Sequence, residues 1–225
     1  VRAFSGLHGA FRSVKQDFPD RKENMEKSQN SKTSIRFIPQ DWLRPFGVEE
    51  LFGGCGDRPF EVDIGCGKGR FLLEHAAANP EVNFLGIDRM LRRIRRIDRK
   101  AVRRGLSNVR LLRMDACYAV SYLLPEKSLS ACYVFFPDPW PKKRHYENRL
   151  FDRAFLEALD RILLPGGQLH FATDHLPYFE EVCGLLRQDG RLEELEPLEL
   201  PPAEKSDFEL QFIEKTIGRC SFRRR

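Results

Sequence analysis

No apolar run in these 225 residues is long enough to cross a bilayer. The longest, Ala131 to Phe136, falls far short of the roughly 20 residues a membrane helix needs. The first 30 residues lack the apolar core of a signal peptide, so nothing there directs export and a cytoplasmic location is expected. The six cysteines (Cys55, Cys66, Cys117, Cys132, Cys183 and Cys220) contain no C-x-x-C pair, and several sit inside apolar runs. A zinc site and a disulfide framework are both disfavoured, and reduced, mostly buried thiols are expected, with no metal. No repeat and no low-complexity block interrupts the chain.

What is present suits one soluble α/β domain with a tail. With 41% hydrophobic residues, the chain can bury one substantial core. Residues 1–34 read as a polar, weakly patterned tail, and residues 35–225 as the domain. The net charge is only +5, but it is segregated. Arg89 to Arg104 carries nine basic residues against the single acid Asp98, and Lys142, Lys143, Arg144 and His145 form a second cluster. Arg223 to Arg225 form a third, whereas Arg191 to Glu209 carries seven acids against two bases. Such segregation fits a polyanion bound on one face, although a basic helix face is as often simply solvated.

Short apolar segments alternate with amphipathic ones. Strands are expected at Phe60–Ile64, Val82–Asp88, Val109–Arg113, Ala131–Phe136 and Gln168–Thr173, with two more near Leu192–Leu198 and Phe208–Phe222. Helices are expected at Arg70–Ala78, Met90–Arg104, Ala116–Leu124, Phe151–Leu163 and Leu176–Gln188. The alternation implies a doubly wound, mostly parallel sheet covered on both faces. Ligands in such folds sit beyond the carboxyl ends of the strands. Gly65 to Gly69, Asp88, Asp115, Pro137 to His145 and Asp174 therefore become one neighbourhood.

The segment Asp63-Ile64-Gly65-Cys66-Gly67-Lys68-Gly69 spaces its glycines as G-x-G-x-G. A dinucleotide fingerprint needs G-x-G-x-x-G, and its last position here is Arg70; the G-K-[ST] ending of a P-loop is also missing. An NADP oxidoreductase is therefore disfavoured, despite Arg89 after Asp88. Asp88, closing the second strand, is placed to accept both ribose hydroxyls of a nucleoside. Asp115, followed by Ala116, can receive an adenine amino group or cap a helix. In Phe135-Phe136-Pro137-Asp138-Pro139-Trp140-Pro141-Lys142-Lys143-Arg144-His145, two prolines fix the loop around Asp138. Trp140 offers a stacking surface for a base, and the basic run offers phosphate contacts. His75 and His170 fit packing or surface roles better than chemistry, while His145 belongs to the basic loop and His175 adjoins Asp174.

The glycine spacing resembles motif I of class I methyltransferases, usually written with Glu where Asp63 stands. The string F-P-D-P-W-P-K-K-R-H, followed by R-L-F and then L-x-P-G-G-x-L-H-F-A-T-D, resembles the bacterial tRNA (guanine-N7-)-methyltransferase family from about Ile35 to Phe222. The resemblance implies a Rossmann-like class I fold, a seven-stranded sheet with an antiparallel last strand, and S-adenosyl-L-methionine as cofactor. The substrate it implies is a guanine of tRNA, methylated at N7 in the variable loop.

Carried over residue by residue, it implies cofactor contacts from Asp63, Gly65, Gly67, Gly69, Asp88, Asp115, Ala116 and Asp138, with Asp138 also the catalytic residue. It implies tRNA contacts from Lys142, Asp174, Ser206, Asp207, Phe208 and Glu209. Ser206 stands where the family usually has Thr, and neither departure removes a functional group. A methyltransferase for another RNA base or a protein, and an RNA-binding homologue without catalysis, are the rival readings. Monomer and homodimer stay open.

Overall fold

A computed structural model describes residues 34–211 and 214–225. The polar tail, apart from Ser34, lies outside the described residues. Among them eight strands form one sheet: β1 Arg36–Phe37, β2 Phe60–Ile64, β3 Asn83–Ile87, β4 Val109–Leu112, β5 Leu129–Phe135, β6 Leu163–Thr173, β7 Leu192–Leu195 and β8 Gly218–Arg224. The helices are α1 Val48–Phe52, α2 Arg70–Ala78, α3 Leu91–Arg103, α4 Ala116–Tyr118, α5 Arg153–Ile162, α6 Leu176–Gln188 and α7 Asp207–Gln211.

The strand order is β1-β4-β3-β2-β5-β6-β8-β7. The first six strands in that order are parallel, and β8 runs antiparallel between β6 and β7. This is the doubly wound, Rossmann-like arrangement expected, antiparallel last strand included. An eighth strand, β1, extends it at the β4 edge. Two residues are too few to show an alternating pattern, and pairing of Arg36 and Phe37 with Leu111 and Leu112 makes them a strand.

Alternation along the central strands divides the core. Val62, Ile64, Leu85, Ile87, Cys132, Val134, Leu169 and Phe171 face α4, α5 and α6. On the opposite face Phe84 and Leu111 pack on Leu72, Leu73 and Ala76 of α2 and Ile94, Ile97 and Ala101 of α3. All six cysteines are free, and four of them (Cys66, Cys132, Cys183 and Cys220) are buried.

Two expectations need correction. The expected helix Phe151–Leu163 and the expected strand Gln168–Thr173 are not separated by a connection: β6 already begins at Leu163, and Pro165-Gly166-Gly167 form a bulge in it while Leu129 and Ala131 of β5 pair with Leu163 and Gln168. Nor is Phe208–Phe222 one strand. Ser206 Oγ accepts from Glu209 N (3.2 Å) and Glu209 Oε2 from Ser206 N (3.0 Å), a reciprocal cap that starts α7; the strand waits until Gly218.

Candidate active site

Six parallel strands end on one rim, and hydrogen bonds tie its loops together. Gly65 N and Cys66 N both donate to Ile87 O, at 2.8 and 3.0 Å, so the glycine loop folds over the end of β3. Gly67 N donates to Asp88 Oδ2 (3.1 Å) and Met90 N to Asp88 Oδ1 (2.7 Å). Asp88 N in turn donates to Leu112 O at the end of β4 (3.2 Å), beside Asp115. Only this loop shape allows the fit. Gly69 sits at φ +77°, and a Cβ there would lie 2.6 Å from Ile97 Cγ1 of α3. Gly65 also has φ +77°, but its missing Cβ faces open space, where a ligand can approach the main chain.

Asp63 and Asp88 are each only 5% exposed. Asp88 is satisfied by the two main-chain donors and by Arg93 (3.2 Å). Asp63 has no hydrogen bond or ion pair among the described residues. Burial, helped by the charge of Asp88 and opposed by His75, pushes its carboxyl up to about 7. A buried acid without a partner, beside an open glycine turn, fits a ligand that is cationic and passes close to the backbone. S-adenosylmethionine carries an ammonium and a sulfonium, so the residues present suit it. Asp115 accepts from Tyr118 N at 3.2 Å and so caps α4. Ala116 opens that helix, half-buried.

A pH dependence follows from Asp63. Between about 4 and 7 the folded protein holds a proton on this carboxyl that the unfolded chain has lost, so the group's contribution to ligand-free stability diminishes as pH rises through that window. Binding a cation there must expel the proton. Cofactor affinity is expected to rise about tenfold per pH unit between roughly 5 and 7 and then level off. In Asp63→Asn it should be weak and nearly flat. Calorimetric titration across that range checks this, and a flat wild-type profile contradicts it.

The second half of the rim is the loop after β5, next to β2 in the sheet. Asp138 is exposed and has no partner among the described residues. Its neighbours are firmly held. Phe136 and Trp140 both adopt positive φ (54° and 42°), rare for bulky residues and a mark of a loop fixed by its surroundings. Phe136 N donates to Ala172 O (2.7 Å), and its ring stacks on Phe208 at 4.6 Å. Arg149, 4% exposed, donates to Pro139 O (2.9 Å), pairs with Glu181 and lies over the Tyr146 and Tyr178 rings at 3.6 and 4.9 Å. Trp140 meets His145 edge to face at 5.6 Å.

Of the residues assigned to substrate, Asp174 and Phe208 come together at this loop: Lys215 Nζ is 2.5 Å from Asp174 Oδ2 and 5.7 Å from the Phe208 ring centroid. Ser206 and Glu209 cap α7, and Glu209 is buried against Arg219. Asp207 begins that helix, half-buried, and Lys142 is exposed ahead of the 3-10 turn Lys143–Asn148. His175 caps α6 by accepting from Tyr178 N.

Three features were missed from sequence: Arg149, Arg93 on Asp88, and a buried network beneath residues 196–206. In that network His75 contacts Glu204 and Tyr133 Oη (3.1 Å), and Tyr133 donates to Glu61 (2.8 Å). Burial works to lower the His75 pKa, but hydrogen bonds and charge from Glu61 and Glu204 raise it on balance. Arg70 adds donors to Ala203 O and Lys205 O, so α2 steers the segment that delivers Phe208 to the loop. R-L-F after the basic run was the only sequence signal for Arg149.

Arg149→Ala removes the brace on Pro139 and leaves Glu181 and two rings without their cation. A stability loss of about 1–3 kcal/mol is expected, from the lost packing and the Pro139 hydrogen bond, together with a roughly 10- to 100-fold fall in kcat and unchanged cofactor affinity. Denaturant melts and steady-state kinetics measure both. Unchanged turnover at a temperature where the variant is folded contradicts the bracing role.

A family model described as putative methyltransferase matches residues 57–211, from just before β2 to the end of α7. A tRNA (guanine-N(7)-)-methyltransferase of a Geobacillus species is 38% identical over 160 residues, covering 71% of this chain and 70% of the relative. The chain belongs to the tRNA (guanine-N(7)-)-methyltransferase family. Another family member, from Chromohalobacter salexigens, is 39% identical over 155 residues, 69% of this chain and 62% of its own length. The chain thus spans less than two thirds of that relative. A solved 30S ribosomal A1408 methyltransferase from an uncultured bacterium aligns with TM-score 0.56 over 81% of this chain and 96% of its own. At 15% identity that likeness is one of fold. Among the described residues no helix is long and apolar enough to cross a membrane, and no cluster of acids, histidines and cysteines could hold a metal.

Proposed function

We propose that this chain transfers a methyl group from S-adenosylmethionine to N7 of a guanine in tRNA, in the variable loop, forming 7-methylguanosine. The observation that carries the reading is the junction of two unlike acids on one rim: Asp63, buried and partnerless at the glycine turn, and Asp138, exposed on a rigid proline-flanked loop one strand away. The first suits a cationic donor and the second a base brought in from solvent.

S-adenosylmethionine supplies a methyl on a sulfonium, and transfer makes a bond to N7 as the bond to sulfur breaks. Guanine N7 carries an available lone pair and no proton, so the chain need not supply a general base. Its residues have two tasks: to align acceptor with donor, and to set negative potential where positive charge develops on the purine. Asp138 performs the second, held by Pro137, Pro139 and Arg149. Trp140 and the Phe136–Phe208 stack offer surfaces for an unstacked base. Lys142 meets a phosphate, while Asp174 and the Ser206–Glu209 segment border the base.

The test is incubation of unmodified bulk tRNA with labelled S-adenosylmethionine, followed by digestion to nucleosides. Label in 7-methylguanosine is the expected result. Label in another nucleoside, or in protein alone, overturns the reading.

A further inference from the structure

Helix α3 carries a feature that methyl transfer does not use. Its buried face is Ile94, Ile97 and Ala101. Around the helix from that face stand Arg92, Arg96, Arg99 and Arg103, spaced four, three and four residues apart, and Arg89 precedes the helix. That spacing repeats on one side of an α-helix, so the four form a straight row about 16 Å long. All five arginines are exposed, and none has an acid partner among the described residues.

Their neighbours differ. Arg93 pairs with Asp88, Arg104 forms a two-pronged pair with Glu74, and Lys100 donates to Lys68 O. The helix's one acid, Asp98, is taken up by Ser34, Ile35 N and Arg36 of the strand edge. The row therefore repels itself. Like charges at i,i+3 and i,i+4 each destabilise a helix by about 0.2–0.5 kcal/mol, and no acid among the described residues pairs with the four to offset it. Alternating signs along a face are the mark of a solvated, salt-bridged helix, and this row carries one sign only.

We propose that this row is a docking track for the phosphate backbone of a double-stranded arm of the tRNA substrate. The inference rests on the function proposed above and assigns a surface to its substrate. A rigid, straight line of guanidinium groups matches a rigid polyanion, and arginine binds phosphate through two parallel donors. The row's position agrees. β3 and β5 flank β2, so the start of α3 is about 10 Å along the rim from the Asp138 loop. From there α3 runs back along the sheet, away from the reaction. One RNA can thus lay an arm on α3 while a guanine of a neighbouring loop reaches Asp138. The contacts are to phosphates, so the track adds affinity without reading sequence.

The experiment replaces Arg92, Arg96, Arg99 and Arg103 together by Gln in the full chain, leaving Arg89 and Arg93 beside Asp88 intact. Binding of unmodified tRNA is measured against salt, alongside methylation kinetics and cofactor titration. The slope of log K against log salt should flatten by about 3, at roughly 0.7–0.9 for each phosphate no longer neutralised. KM for tRNA should rise about 10- to 100-fold near 0.1 M salt, with kcat at saturating tRNA and cofactor affinity within about twofold of wild type. A hairpin stem lacking the target guanine should compete with tRNA for the wild type and not for the variant. The variant's melting temperature without RNA should be equal or higher, because the repulsion is gone.

A wild-type slope and KM in the variant overturn the proposal while leaving the methyltransferase reading standing. So does a loss confined to anionic phospholipid vesicles with tRNA binding unchanged. A wild-type protein that neither binds nor methylates tRNA instead defeats the function on which the inference rests.

Discussion

Asp138→Ala is expected to lower the rate of methyl transfer about 10³-fold while cofactor affinity changes by less than about tenfold. The side chain is exposed and unpaired among the described residues, so its removal leaves no buried group stranded and costs little stability. What it removes is a negative charge held still. Pro137 and Pro139 restrict the loop, Phe136 is tied to Ala172 O and stacked on Phe208, and Arg149 grips Pro139 O. A charge so fixed needs no reorganisation as the purine becomes cationic. Asp138→Asn keeps the shape and loses the charge, so it should lose most of the same factor. Single-turnover kinetics with saturating cofactor separates this from weaker binding. Full turnover in Asp138→Ala sinks the assignment.

Asp88→Ala should act on the other partner and on the fold. Its carboxylate accepts Gly67 N and Met90 N and pairs with Arg93, so the glycine loop and the start of α3 both depend on it. Hydrogen bonds to a charged group contribute about 1.5–3 kcal/mol each. On the proposal that Asp88 accepts two ribose hydroxyls, its loss lowers cofactor affinity at least about 100-fold, and the orphaned main-chain donors lower the melting temperature as well. Asp88→Asn keeps an oxygen acceptor and should recover most of the stability but only part of the affinity. Cofactor affinity close to wild type in a folded Asp88→Ala protein would show that the ribose is held elsewhere.

Much of this architecture was legible from the residues because its signals are local. β2, α2 and α6 match their expected bounds, since hydrophobic period and glycine punctuation agree at each. The strands β3, β4 and β5 shift by one or two residues at their ends, where pairing partners decide the limit. Around Phe208 local signals conflict: an apolar-rich segment reads as strand, yet the Ser206–Glu209 cap starts a helix. The bulge at Gly166 was hidden for another reason, because β5 decides where β6 begins.

The rim itself followed from one rule, that parallel strands end on the same side, applied to acids scattered from Asp63 to Asp174. Contacts between distant segments did not follow. Phe136 with Phe208, Arg149 with Pro139 and Glu181, and His75 with Glu204 each join stretches that no period links. They decide how rigid the Asp138 loop is, and rigidity separates an exposed acid from a catalytic one. The arginine row on α3 is the reverse case: the apolar stripe Leu91, Ile94, Ile97 and Ala101 already sets the arginines on the other faces of the helix, and the last three residues of that stripe are buried as it implies.

The most direct test of the central claim changes one atom of the substrate. A tRNA transcript carrying 7-deazaguanosine in place of guanosine has a C–H where N7 offers its lone pair. It is expected to compete with ordinary tRNA at nearly equal affinity and to accept no methyl group. Methylation of that transcript at a rate near that of the unsubstituted one would contradict the account, because another atom would then be the acceptor.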